Sequence, residues 1–174
     1  MASATAEALR LSRGRAVPPA NFHVTLAFLG SVAAERIAAL VAVAAAIRAA
    51  DPGHSLRLVF DRIEYWKKAE LLCVVARAEP HIAAFADRLR EQLASACFAP
   101  DLKPFRAHVT LARKVPPPSA SSSSRTWLYS HLEMAPLEWT FTRFALFESR
   151  TLPTGPLYSV IESWPLVKRE RAAS

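Results

Sequence analysis

The chain has 174 residues, 52% of them apolar, with 22 Lys and Arg against 15 Asp and Glu and a formal charge of +7. That length and apolar share suit one compact domain or two small lobes and exclude a globally disordered chain. No apolar run reaches bilayer-spanning length, the longest, Ile37–Ala50, being mostly alanine between Arg36 and Arg48. The positive balance favours a polyanionic partner such as nucleic acid. Two cysteines, Cys73 and Cys97, form neither a C-x-x-C pair nor metal-ligand spacing; they read as buried thiols in a reducing cytoplasm.

In chain order, residues 3–15 have helical character and lack the apolar run of a signal peptide, and Val17-Pro18-Pro19-Ala20 breaks them off. Phe22–Leu29 alternates as a strand, and Ser31 is placed to cap a helix over 33–50. After the turn Asp51-Pro52-Gly53, Leu56–Ile63 and Leu71–Ala76 read as a hairpin joined through 64–70. Pro80 opens a helix to about Cys97 whose buried stripe is Ile82, Phe85, Leu89 and Leu93. Ala107–Ala112 is a further strand, Pro116–Ser124 a surface loop or linker, and Leu137–Phe147 and Leu157–Ser163 close the set before a polar tail at 167–174. Strand pairs beside helices predict an α+β fold with antiparallel sheet.

The string HVTLA occurs twice, at 23–27 and 108–112, 85 positions apart. That period is too long for a solenoid, so the repeat predicts a pseudo-symmetric pair of lobes. On a strand, alternate side chains share a face. His23 and Thr25 then point one way and Val24 and Leu26 the other; His108 and Thr110 do the same against Val109 and Leu111. Packing asks only for the apolar alternation, not for the same polar pair twice. Two imidazoles can act as general base and general acid near neutral pH, and two hydroxyls can donate to anionic oxygens between them. The set suits an in-line displacement at phosphorus. A metal centre would need three or four ligands, and neither an H-E-x-x-H nor a cysteine pair completes one.

The strings NFHVTLAFLG and PFRAHVTLAR, with YWKKAELLCVVA between them and GPLYSVIESWPL after, resemble the two-histidine phosphoesterase superfamily, in its bacterial 2′-5′ RNA ligase or RNA 2′,3′-cyclic phosphodiesterase branch. The resemblance implies one bilobal domain over 1–166, a pair of small antiparallel sheets flanked by helices with the active site in the cleft between them. It implies hydrolysis of RNA 2′,3′-cyclic phosphate ends, tRNA fragments among them, to 2′-phosphomonoesters, with reversible 2′-5′ ligation as a second activity and no metal or other cofactor. His23 and His108 are then the catalytic pair, and Thr25 and Thr110 grip the phosphate; the symmetry of the two motifs leaves both assignments of acid and base open, and the preferred one has His23 protonate O3′ and His108 activate water. Members of the family begin with an apolar strand that this sequence lacks: either the start falls late, or the sheet is short of a strand and its exposed edge is covered otherwise, a dimer being one way.

Four residues are further substrate candidates. Arg113 and Lys114 follow the second motif and either meet backbone phosphates or are two solvated charges at a strand end. Trp66 and Lys67, in the stretch Tyr65-Trp66-Lys67-Lys68, form either a stacking platform for single-stranded RNA or a loop tip anchored by one aromatic. Phe22 and Phe28 fall on the core side by alternation, and His54, His81 and His131 read as surface or structural. Two other functions compete: a non-catalytic RNA-binding module with a retained cleft, and a phosphodiesterase of small cyclic or 2′-5′-linked nucleotides.

Overall fold

The computed structural model describes residues 2–50, 55–101, 103–117, 134–152 and 155–166. The turn at 51–53, His54, His131, the serine run at 121–124 and the tail lie outside them. The chain weaves between two compact units: Met1–Thr25, Leu58–Glu79 and Arg106–Trp139 form the first, and Leu26–Arg57, Pro80–Phe105 and Thr140–Ser174 the second.

The first unit is built on a five-stranded sheet in the order β1-β4-β3-β2-β5, from β1 (Arg15–Ala16), β2 (Leu56–Trp66), β3 (Leu71–Ala76), β4 (His108–Arg113) and β5 (Leu137–Phe141). The β1–β4, β4–β3 and β3–β2 pairs are antiparallel. The strands read at Leu71–Ala76 and Ala107–Ala112 are present; β3 is buried from Leu72 to Ala76, and on β4 the alternation puts Val109 and Leu111 inside. The hairpin is longer than expected: β2 runs on through Glu64, Tyr65 and Trp66, leaving Lys67–Glu70 as the turn. Tyr65 and Trp66 are therefore strand residues, and the Tyr65 hydroxyl donates to the Val115 carbonyl at 3.2 Å.

Helix α1 (Ala2–Ser12) leads into this sheet. Ser12 is buried; its hydroxyl donates to the Leu9 carbonyl and accepts from the Gly14 N–H, which turns the chain toward β1. Arg15 and Ala16 lie opposite Arg113 and Ala112, and the Val17 N–H donates to the Leu111 carbonyl at 2.8 Å. The outer edge of β4 is thus covered from Leu111 to Arg113 by the chain itself. Gly14 is wedged there: a Cβ would stand 2.6 Å from Val115 Cγ2 and 3.0 Å from the Arg113 carbonyl oxygen. Gly14→Ala is expected to lose about 1–3 kcal/mol by overpacking, read as a lowered urea midpoint at unchanged slope.

The second unit holds helices α2 (Ile37–Ala50) and α3 (Pro80–Ser95) and the antiparallel pair β6 (Arg143–Leu152) and β7 (Gly155–Pro165). The predicted α3 stripe, Ile82, Phe85, Leu89 and Leu93, is buried. Phe85, Leu89 and Leu93 join Leu40, Ala44 and Ile47 of α2 in one core. Phe144 completes it, stacked on Trp164 at 5.1 Å and edge-on to Phe85 at 5.4 Å. Arg36 donates to the Ala96 and Cys97 carbonyls past the end of α3, where unpaired carbonyls need donors.

Several expectations change. Leu137–Phe147 is not one strand: it breaks at Thr142 into β5 and β6, which belong to different sheets. Ser31 does not cap α2, which is entered through a 3₁₀ turn at Ala34–Arg36 preceded by Ala33 without a side-chain cap. Cys97 is exposed rather than buried, and Phe28, expected in the core, is 65% exposed. Phe22–Leu29 carries no strand; it follows the 3₁₀ turn Pro19–Asn21 as irregular chain, because no neighbouring strand offers it a ladder. Among the described residues no helix is long and apolar enough to cross a membrane.

Candidate active site

His23 and Thr25 of the first motif and the whole second motif belong to the first unit, the second as strand β4 and the first on the irregular segment after Asn21, whose Leu26 and Ala27 already belong to the second unit. On β4, His108 lies opposite Val75 and Thr110 opposite Cys73, but Ala112 lies opposite Leu72. Two steps on β4 match one step on β3 there, so β4 bulges at Leu111. The extra residue reverses the alternation beyond it. Ala112 therefore turns to the face of Val109, and Arg113 joins the face of His108 and Thr110. The register Cys73↔Glu64 and Leu71↔Trp66 brings Glu64 and Trp66 of β2 onto that same face.

The two imidazoles are held alike although their backbones differ. His23 Nδ1 lies 2.7 Å from the Asn21 carbonyl oxygen, and His108 Nδ1 lies 2.7 Å from that of Arg106. A carbonyl only accepts, so each Nδ1 carries hydrogen and donates. The nitrogen that exchanges protons with a substrate is then Nε2 in both rings. Burial lowers the His108 pKa below the ordinary imidazole value; the bond to the Arg106 carbonyl opposes this, and the positive charges of His23, Arg106 and Arg113 add to it. A charge on His23 is thus felt at His108, which couples the two copies of the motif.

The threonines differ. Thr25 is exposed, whereas Thr110 is half-buried with Cys73 Sγ 3.9 Å from its Oγ1. Burial, partly offset by Thr110, pushes the Cys73 thiol up to about 12. The thiol stays protonated at neutral pH and can donate to Oγ1, which directs the threonine's own hydrogen elsewhere.

Around His108 the sheet supplies three residues that the motif does not contain. The Trp66 and His108 ring centroids are 4.4 Å apart, inclined at 53°. Trp66 Nε1 donates to Glu64 Oε2 at 2.9 Å, and Arg106 donates to both Glu64 oxygens at 2.9 Å. The Arg106 guanidinium also stands 5.4 Å from the Trp66 ring. Of the substrate candidates, Trp66 and Arg113 share the His108 face; Lys67 and Lys114 are exposed at the same end of the sheet, Lys67 opening the β2–β3 turn and Lys114 following β4 at φ 52°. His81 is exposed on α3, as read. Glu64, Arg106 and Cys73 were not singled out by sequence. The Asn21 and Arg106 carbonyls carry no signal in the sequence, since every position offers a carbonyl whatever its side chain. Among the described residues no group of three or more His, Cys, Asp or Glu side chains could hold a metal ion.

The family model described as the 2′-5′ RNA ligase superfamily matches residues 1–151. The RNA 2′,3′-cyclic phosphodiesterase of Escherichia coli K12 is 32% identical over 163 residues, covering 89% of this chain and 81% of that protein. The protein of the same name from Thermus thermophilus is 30% identical over 161 residues, covering 86% and 74%. Among solved structures, Escherichia coli LigT complexed with 3′-AMP superposes with a TM-score of 0.71 at 23% identity, over 97% of this chain and 94% of that one. The likeness to LigT is one of fold.

Proposed function

We propose, from the premise that the chain belongs to the 2′-5′ RNA ligase superfamily, that it hydrolyses 2′,3′-cyclic phosphate ends of RNA to 2′-phosphomonoesters. The observation that carries the reading is the matched pair of imidazoles, each held through Nδ1 by the carbonyl two residues before it. His108, favoured in its neutral form by burial, takes a proton from water through Nε2 as the water oxygen attacks phosphorus. The P–O3′ bond breaks, and His23 gives its Nε2 proton to the departing O3′. The hydroxyls of Thr25 and Thr110 donate to the non-bridging oxygens, where charge builds up. With the 5′-hydroxyl of a second RNA in place of water, the same displacement makes a 2′-5′ linkage. The residues proposed to act need no metal or other cofactor.

The cations at one end of the sheet support RNA rather than a mononucleotide as substrate. Arg113 comes onto the histidine face through the bulge, and Lys114 and Lys67 lie at that end, placed for phosphates upstream of the reacting one. Cys73 and Cys97 are free thiols, which suits a reducing compartment, and we place the enzyme in the cytoplasm.

The test is a short oligoribonucleotide ending in 2′,3′-cyclic phosphate, incubated with the protein in EDTA and followed by phosphorus NMR. A 2′-phosphate product supports the reading. A 3′-phosphate product, or turnover that EDTA abolishes, overturns the proposed chemistry. Binding without turnover makes the chain an RNA-binding module, and turnover only of cyclic mononucleotides makes it a small-nucleotide enzyme.

A further inference from the structure

The indole of Trp66 is not an open platform: its ring already lies against His108 and near the guanidinium of Arg106. What holds it there is Glu64. One carboxylate accepts from Trp66 Nε1 and from Arg106, and it also faces Arg62, whose Nε is 3.7 Å from Oε1. Arg106 in turn offers the backbone carbonyl that fixes the His108 tautomer. Both supports of the imidazole, the ring at its side and the carbonyl at its Nδ1, therefore meet at Glu64. The contacts cross the sheet: Glu64 sits on β2, 42 residues before Arg106 in the chain.

We propose that Glu64 is a positioning residue for the reaction: it clamps Trp66 and Arg106 so that the His108 imidazole keeps Nδ1 on the Arg106 carbonyl and Nε2 toward the reacting phosphate. Trp66 acts through the same clamp, not by stacking on an RNA base. This rests on the reading of His108 as a proton-transfer group. Glu64 acts through Trp66 and Arg106, so its contribution is orientation, to which proton transfer is steeply sensitive.

The experiment has a kinetic arm and a spectroscopic arm. Glu64→Ala is expected to lower kcat about 10–100-fold with KM changed less than about threefold, since misplacing a catalytic group costs rate rather than binding. Glu64→Gln keeps an acceptor for both donors and is expected to restore most of that loss. In a His108→Ala background, Glu64→Ala should have no further effect on the residual rate. Trp66→Leu should reproduce the kcat loss; a change confined to KM would make Trp66 a substrate-stacking residue and overturn its part in the clamp. In the spectroscopic arm, nitrogen-15 shifts of the substrate-free protein report the tautomer of neutral His108. The wild type and Glu64→Gln should show hydrogen on Nδ1, and Glu64→Ala a mixture. Glu64→Ala that keeps both the tautomer and kcat, or that slows the His108→Ala protein by the same factor as wild type, overturns the inference. If Glu64→Ala does not fold, Glu64→Gln and Trp66→Leu carry both arms. If the wild type shows no turnover, the proposed function fails on its own, and the tautomer decides the clamp.

Discussion

Replacing His108 or His23 by alanine is expected to lower turnover of a cyclic-phosphate-ended oligoribonucleotide by about 10²–10⁴-fold in each case, the usual worth of one positioned proton-transfer group. Both losses should fall on kcat, because neither imidazole is asked to hold the ground state. The two effects should not add: once proton removal or proton delivery is gone, the concerted displacement is already lost, so the double variant should sit near the slower single one. The pH profile separates the roles. His108 must be neutral to take a proton, and its pKa lies below the ordinary imidazole value through burial and its cationic neighbours. A lowered pKa keeps the neutral form populated to more acid pH, so the acid limb of kcat/KM in the wild type should fall below about pH 6.5. His108→Ala should abolish that limb; His23→Ala, which removes one of the positive charges that lower the His108 pKa, should keep the limb and move it toward higher pH. Steady-state rates across pH 5–9, taken with each variant's circular dichroism spectrum, check this. Either variant retaining wild-type turnover would remove that histidine from the mechanism.

The helices and the second histidine strand were legible because their signals are local. Ile82, Phe85, Leu89 and Leu93 recur at helical spacing and are buried as that spacing demands. Val109 and Leu111 alternate with His108 and Thr110, and β3 accepts them in register. The first copy is instructive because it is the same five residues with another outcome. At 108–112 the string pairs with β3 and is a strand; at 23–27 it follows the turn Pro19–Asn21, lacks a ladder and is irregular. Strand formation here is decided by the partner, not by the propensity of His-Val-Thr-Leu-Ala. What the two copies do share is the carbonyl two residues upstream, a feature of backbone and ring that survives the change of secondary structure. The bulge at Leu111 and the Glu64–Arg106 contact were invisible for a related reason. Each is a relation between strands: a one-residue mismatch in register in the first case, an ion pair across the sheet in the second. Likewise nothing in Leu137–Phe147 announces the break at Thr142, since the two halves are separated by the sheets they join and not by a glycine or proline between them.

Thr110→Val is expected to lower kcat about 10²–10³-fold, comparable to removing one donor from an oxyanion site. Valine keeps the β-branched shape that β4 accommodates, so the substitution removes a hydroxyl without emptying the strand. The loss should appear in kcat more than in KM, because a cyclic phosphate already carries its negative charge in the ground state, while charge on the non-bridging oxygens grows as water adds. Thr25→Val should cost less. Thr25 is exposed and exchanges its hydrogen bond with water, whereas Thr110 is half-buried and oriented by the Cys73 thiol at 3.9 Å. That orientation supplies the internal control. A thiol held protonated by burial donates to Thr110 Oγ1 and leaves the threonine hydrogen for the phosphate. Cys73→Ala should therefore weaken Thr110 only partly, by about 3–10-fold, and have no effect once Thr110 is valine. Thr110→Ser should restore most of the activity, since it returns the hydroxyl at the same register. Steady-state rates of the wild type and the five variants on one cyclic-phosphate substrate decide the matter. A Thr110→Val enzyme with unchanged kcat, or one slowed no more than Thr110→Ser, would mean that the second threonine packs the strand and does not touch the phosphate.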